Sequence, residues 1–242
     1  MSRQMRRQEA RQHARREPKK PARRGGGGRI SRAQLIGASV IAVLAIAAVI
    51  YAQGNSSSAG PSTTVPPGIT QVGHVRGQAD APVTVDEWAD FQCPACGLFA
   101  RSTEPQLLTS YVATGKVKLV FHNFAFLGNE SNWAAEAADC AGEQNKFFEF
   151  HDKLYASQAG ENKGAFTKDK LKGIGTAMGL GPSFSACVDS GKYAQAVRDE
   201  KAAGDALGVD ATPTLFVGGK KYPSALTFDQ MKQILDPLLV GR

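Results

Sequence analysis

Between Leu35 and Ala52 the chain reads LIGASVIAVLAIAAVIYA, eighteen residues without a charge. A run of that length is near the lower limit for a helix that crosses a bilayer. It exceeds the usual apolar core of a signal peptide, the segment before it is far too long for an n-region, and Ile50 and Ala52 form a poor small-x-small cleavage site. Residues 34–52 are therefore expected to be an uncleaved transmembrane signal anchor, with cleavage as the other reading. Residues 1–33 carry twelve Lys/Arg against Glu9 and Glu17, include four consecutive glycines from Gly25, and hold almost no large apolar side chains. Such a tail cannot bury enough surface to order itself. Its positive charge is expected to keep it in the cytoplasm, which places everything after the anchor on the outer face of the cell membrane.

The tail contributes +10 to a chain whose net charge is +7, which leaves −3 for the remainder. The basic balance belongs to the tail alone, so a basic nucleic-acid-binding domain is not supported. Residues 53–73, QGNSSSAGPSTTVPPGITQVG, are rich in Ser, Gly, Pro and Thr and read as a flexible linker with a stiffer Pro66-Pro67 step. Residues 74–242 have the length of one folded domain.

That domain contains all four cysteines, on the side of the membrane where disulfides persist. Cys93 and Cys96 are spaced as CxxC. A zinc site would need the distant single cysteines Cys140 and Cys187 to converge on that pair, whereas structural zinc sites combine two short-spaced pairs. A structural disulfide across Cys93 and Cys96 would close a tiny loop and restrain the unfolded chain little. Redox chemistry remains. APVTVDEWADF alternates as a strand from Val83 to about Ala89, and CGLFARSTEPQLLTSYVATG carries helical apolar spacing, with Pro105 expected to kink or split the helix and Gly115 to stop it. Cys93 then falls at a helix N-terminus, where unpaired N–H groups and the dipole favour a thiolate, and Cys96 falls a turn further in, more buried.

Glu87 precedes Cys93 on the strand. If that strand is central, the carboxylate lies buried beneath the pair with a raised pKa and can exchange a proton with Cys96; a solvated acid at a strand end is the alternative. Thr212-Pro213 opens a strand-like run, Thr214 to Val217, at a position suited to an edge strand or a special turn. KVKLVFHNF, Lys116 to Phe124, reads as another strand, and the chain from there to Gly208 reads helical throughout. His122 and His151 have no partner at metal-ligand or triad spacing and are read as satisfied core or surface residues. Phe147, Phe148 and Phe150 are read as core, with a peptide groove as the alternative.

From about Gly77 to Pro237 the chain resembles the DsbA-like thiol–disulfide oxidoreductases, especially their membrane-anchored bacterial forms. The resemblance is carried, in order, by GQADAPVTVDEWADFQCPAC, GKVKLVFHNFAF, CAGEQNKFFEFHDKLY, FSACVDSGKY and GVDATPTLFVGGK. It implies an α/β thioredoxin-like fold with a helical domain inserted at about 129–205. It further implies Cys93 as the attacking cysteine, Cys96 as the resolving one, Glu87 as the buried acid and Pro213 as a cis-proline facing the pair. The backbone of Thr212 is then expected to pair with substrate peptide as an added strand. Between the cysteines stand Pro94 and Ala95, without the histidine that helps strong oxidants of this family to hold their thiolate, which points to a less oxidising couple. Thr212 before the cis-proline resembles isomerases and reductases as readily as oxidases.

By elimination Cys140 and Cys187 are expected to be joined, provided that their two helices meet; two free buried thiols are the alternative. No metal and no cofactor is expected. The function implied is disulfide formation in reduced secreted proteins, followed by reoxidation through a quinone-linked membrane oxidant of the DsbB or VKOR type. The alternatives are a disulfide isomerase or reductase, for example one serving cytochrome c assembly, and a peptide-binding chaperone module without turnover.

Overall fold

The computed structural model describes residue 66 and residues 68–241. The basic tail, the expected anchor and most of the linker lie outside the described residues. Among the described residues, no helix is long and apolar enough to cross a membrane.

The strands are β1 (Gln71–Val72), β2 (Val75–Arg76), β3 (Val83–Ala89), β4 (Val117–Asn123), β5 (Thr214–Val217) and β6 (Lys220–Tyr222). They form one sheet in the order β1-β2-β4-β3-β5-β6, parallel between β3 and β4 and antiparallel elsewhere. β3 occupies the bounds read from its alternation. β4 ends one residue short of the expected span at each end. β1 lies in the stretch read as linker, so the folded domain starts a few residues earlier than composition suggested; Gln71 and Val72 pair with Arg76 and Val75 across a tight turn. β5 is not at an edge, because it pairs with β3 on one side and β6 on the other. Pro213 stands just before it, at a cis bond after Thr212, where its missing N–H costs no ladder hydrogen bond.

Helix α1 (Pro94–Ser102) follows β3, with Cys93 as its N-cap in an extended conformation and Pro94 in its first turn. Proline is at ease there because the first N–H groups of a helix have no intrahelical partner. The expected interruption near Pro105 falls at Thr103, whose Oγ1 donates to the Leu226 carbonyl at 2.9 Å. The chain resumes as α2 (Glu104–Leu107) and a wider π turn over Leu108–Val112.

The insertion between β4 and β5 comprises α3 (Asn129–Gly142), α4 (Phe147–Ala156), α5 (Lys168–Ala177), α6 (Pro182–Ser190) and α7 (Ala194–Ala206). It is not helical throughout: residues 157–167 form a loop between α4 and α5. Glu130 holds that loop by accepting from Gly164 N and Phe166 N, both at 2.8 Å. Phe147, Phe148 and Phe150 are core residues, packed with Ala134, Ala138, Leu154 and Phe184. Cys140 on α3 and Cys187 on α6 are joined by a disulfide with their Cα atoms 5.9 Å apart. A second core lies between the sheet, α1 and α8 (Phe228–Leu239), and includes Val83, Val85, Phe99, Leu119, Leu215, Met231 and Leu235. Cys93, Cys96 and Phe91 belong to the insertion's core, while Phe99, on the same helix, belongs to the sheet's. The CxxC segment therefore sits at the seam between the two.

Candidate active site

The turn leading out of β3 is shaped by Asp90. Its Oδ1 accepts from Gln92 N at 2.8 Å and from Ser131 Oγ at 2.7 Å, its Oδ2 accepts from Phe126 N and Leu127 N, and its carbonyl accepts from Cys93 N at 3.0 Å. A buried carboxylate with this many donors is fully satisfied and fixes the backbone around it. Cys93 is thereby delivered to the end of α1, at the surface edge of the core.

Cys93 and Cys96 are free thiols, both buried, with Cys93 at 9% exposure and Cys96 at 0%. The difference in their environments separates their acidities. The Cys93 thiol is lowered to about 6, first by a hydrogen bond from the Cys96 thiol and then by the Thr212 hydroxyl and the N–H groups of Cys96 and Ala95, against the opposing effect of burial. The Thr212 hydroxyl acts at a distance or angle short of a formed hydrogen bond. The Cys96 thiol is pushed well above the ordinary range by burial, by its hydrogen bond to Cys93, and by the charges of Cys93 and Glu87. In the protonated state Cys93 Sγ donates to the carbonyl of Thr212 at 3.3 Å, so the residue before the cis-proline faces the sulfur directly.

β3 is central, and Glu87 is buried on the face that also carries Val83 and Val85. Its cross-strand neighbours are Phe121 on β4 and Leu215 on β5, both apolar and buried. With Oε1 lacking a hydrogen-bond partner among the described residues, burial drives its pKa well above the usual carboxylate range, and the nearby charge of Glu104 adds to this. Cys93, Cys96, Glu87, Thr212 and Pro213 thus come together, with Pro94 exposed and Ala95 half-buried on the opening turn of α1. Cys140 and Cys187 lie in the insertion, joined to each other.

Several side chains at or below the pair had no visible signal in the sequence. Arg76, on a two-residue strand, is buried against α2 and α4, where its Nη1 meets Glu104 Oε1 at 2.5 Å, its Nη2 meets Asp152 Oδ2 at 2.9 Å, and its guanidinium lies 4.2 Å from the centre of the Phe148 ring. This cation partly offsets the effect of Glu104 on Glu87. Tyr155 is buried, its hydroxyl without a partner among the described residues, and close enough to Cys96 and Glu87 for their charges to raise its pKa further. Gln158, in the loop read as helix, donates from Nε2 to the carbonyls of Phe91 and Cys93.

The two histidines stay outside the pair. His151 is buried, with Nδ1 2.8 Å from Asp152 Oδ1 and its ring edge-on to Phe91, Phe121 and Tyr155. His122 stacks on Trp88 and lies between Asp86 and Glu200 at 3.1 and 3.3 Å. Among the described residues, no group of three or more His, Cys, Asp or Glu could hold a metal ion.

Residues 70–237 match the Thioredoxin family. Disulfide bond formation protein D of Bacillus subtilis is 28% identical over 195 residues, spanning 78% of this chain and 85% of that protein. Probable disulfide bond formation protein D of Bacillus cereus is 32% identical over 167 residues, spanning 66% and 76%. The crystal structure of oxidised BdbD from Bacillus subtilis is similar with a TM-score of 0.65 at 27% identity, covering 69% of this chain and 93% of that one. With this match over the folded domain, and with an acidic thiol paired to a buried one at a helix N-terminus, the chain belongs to the thioredoxin family as a DsbA-like protein-disulfide oxidoreductase.

Proposed function

We propose that the protein is an exported, membrane-tethered oxidase that forms disulfides in secreted proteins through Cys93 and Cys96. The observation that carries this reading is the inequality of the two thiols, one lowered to about 6 and the other pushed well above the ordinary range. A thiolate stabilised only in the reduced state favours that state over the disulfide, which makes the pair an acceptor of electrons from substrate. The names of the relatives, disulfide bond formation protein D, support the same direction.

In the oxidised protein a substrate thiolate attacks Cys93 Sγ, the Cys93–Cys96 bond breaks, and Cys96 leaves as a thiolate. Buried as it is, Cys96 needs a proton at once. Glu87, held protonated by the same burial, is the group placed to give it, and later takes one back. A second substrate thiolate then attacks the substrate sulfur of the mixed disulfide. The substrate leaves with a new disulfide, and Cys93 departs as the thiolate that its surroundings stabilise, which speeds the step because a more acidic thiol is the better leaving group. Two electrons have passed from substrate to the pair. The carbonyl of Thr212, freed when Cys93 loses its proton, accepts a backbone N–H from substrate lying as an added strand beside the cis-Pro213 turn. Reoxidation falls to a quinone-linked membrane partner of the DsbB or VKOR type, which the apolar run 35–52 would keep within reach.

Equilibration of the purified domain with glutathione tests the direction. An oxidase holds its pair reduced in buffers where ordinary structural disulfides stay oxidised, and a strongly reducing pair would sink the proposal in favour of a reductase. External protease on wall-less cells tests the topology: it should remove the domain and spare the tail.

A further inference from the structure

One side chain of the insertion hydrogen-bonds to the backbone of Cys93 itself. Gln158 lies two residues beyond the end of α4, and its Nε2 donates to the Phe91 carbonyl at 2.8 Å and to the Cys93 carbonyl at 2.9 Å. Arg101, in the last turn of α1, donates from Nη1 to Gln158 Oε1 at 3.2 Å and to the Tyr155 carbonyl at 2.6 Å. A cation therefore faces the amide oxygen and two carbonyls face the amide nitrogen, which determines how the amide is turned. The Cys93 carbonyl already accepts from Gly97 N at 3.1 Å, the first hydrogen bond of the helix, so Gln158 occupies its second lone pair. Gly97 makes the approach possible: a Cβ there would stand 2.0 Å from Gln158 Oε1.

We propose that Gln158 is a positioning residue for the redox pair: by clamping the carbonyls of Phe91 and Cys93 it holds the N-cap turn of α1 in the geometry that keeps Cys93 Sγ at the helix N-terminus, facing the Thr212 carbonyl. The inference rests on the reading of Cys93 as the attacking thiol. The physical reason lies in the steepness of the interactions concerned. The field of a helix terminus fades within one turn, so a modest rotation at the N-cap moves the sulfur out of it. Cys93 N–H is tied to the Asp90 carbonyl on the near side of the turn; Gln158 ties the far side from a separate part of the chain. The clamp thus makes the ionisation of Cys93 depend on the inserted domain.

Two variants remove the clamp by different routes. Gln158→Met keeps the volume and loses the donor. Gly97→Ala keeps Gln158 but pushes its flexible end away, while placing a better helix former within α1. The readouts are the pH midpoint of the Cys93 thiolate, followed by ultraviolet absorbance of the reduced protein, the equilibrium with glutathione, and the melting temperature. Both variants should raise the midpoint above about 6 and move the glutathione equilibrium toward the disulfide form by roughly three- to tenfold, the worth of about one hydrogen bond. Gly97→Ala should melt no lower than Gln158→Met, so the redox shift does not follow stability. Glu161→Ala, an exposed change in the same loop, should leave all three readouts at the wild-type level. An unmoved midpoint and equilibrium in either folded variant, or a change in melting temperature alone, would overturn the clamp and leave Gln158 as a loop tie. Should the wild-type pair fail to exchange with glutathione at all, the redox reading falls, while the thiolate midpoint still decides whether Gln158 positions Cys93.

Discussion

The sulfur of Cys93 lies 3.3 Å from the carbonyl oxygen of Thr212, across 119 positions of sequence. The antiparallel register of β3 and β5, which sets Trp88 opposite Thr214, brings the two together. The strand ends thus carry the helix N-terminus and the turn before β5 to one place, where a sulfur and a backbone acceptor can meet the same peptide.

The two thiols should differ in a measurable order. In the reduced protein Cys93 should alkylate with a midpoint near pH 6 and Cys96 only far above it. Because the Cys96 thiol is the largest single cause of the acidity of Cys93, Cys96→Ala should raise that midpoint more than Cys96→Ser, whose hydroxyl still donates. Given secreted proteins that already carry disulfides, Cys96→Ser should accumulate mixed disulfides, because the Cys93 thiolate attacks a substrate disulfide, expels the other substrate thiolate and has no resolving thiol beside it, and Cys93→Ser should form none. Mass mapping that found Cys96 modified first would reverse these roles.

Replacing Glu87 should stabilise the fold and slow exchange. Its folded pKa is raised above its unfolded value, so its contribution to stability is present at low pH, below that unfolded value, and is lost as pH rises toward the folded one. At pH 7 Glu87→Leu should therefore unfold about 1–3 kcal/mol later than the parent, since it removes a poorly satisfied buried acid between Phe121 and Leu215. The difference should shrink near pH 4. Exchange should slow, because the proton donor proposed for Cys96 is gone. Denaturant curves at the two pH values, with stopped-flow exchange at pH 7, check both halves; a destabilised variant at pH 7 would contradict the account.

Loss of the Cys140–Cys187 bond should act on stability and leave the redox pair alone. The bond closes a loop of 47 positions, which restrains the unfolded chain by about 4 kcal/mol in the chain-entropy estimate. Cys140→Ala with Cys187→Ala should lower the denaturant midpoint accordingly, and the Cys93 thiolate should still titrate near 6. A moved titration would mean that the insertion transmits strain to the pair.

His122 should confer a pH-dependent stability. It lies between Asp86 and Glu200, stacks on Trp88, and its pKa is raised from 6.5 to about 9, with its hydrogen bonds and ion pairs to those two acids outweighing burial. His74 approaches the same Glu200 oxygen at 3.9 Å. A folded pKa above the unfolded one gives stability that is whole below pH 6.5 and is lost as pH climbs through about 9. His122→Gln should thus cost about 1–2 kcal/mol at pH 7, discounted for its partial exposure, and much less at pH 10. Equal costs at the two pH values would show that packing on Trp88, not charge, is what His122 supplies.

The local part of this protein was legible in its residues. Alternation gave β3 its bounds, the CPAC segment put Cys93 at the N-cap with Pro94 behind it, and a carboxylate six residues earlier fell on the inward face. Each of these rests on strand period, capping or proline geometry, which act within a few residues. The loop 157–167 was hidden because its neighbours on both sides carry helical spacing, and Gln158 within it resembles any polar residue near a helix end. Arg76 gave no sign either, since its partners Glu104 and Asp152 stand 28 and 76 positions away.

What the sequence determined by itself was the kind of chemistry and the order of elements, because cysteine spacing and apolar periodicity are written along the chain. What only the tertiary structure decided was how acidic each thiol is and which groups hold it. Those depend on burial and on hydrogen bonds between the pair and Thr212, Glu87 and Gln158, which belong to other elements and meet only when the sheet register and the insertion bring them together.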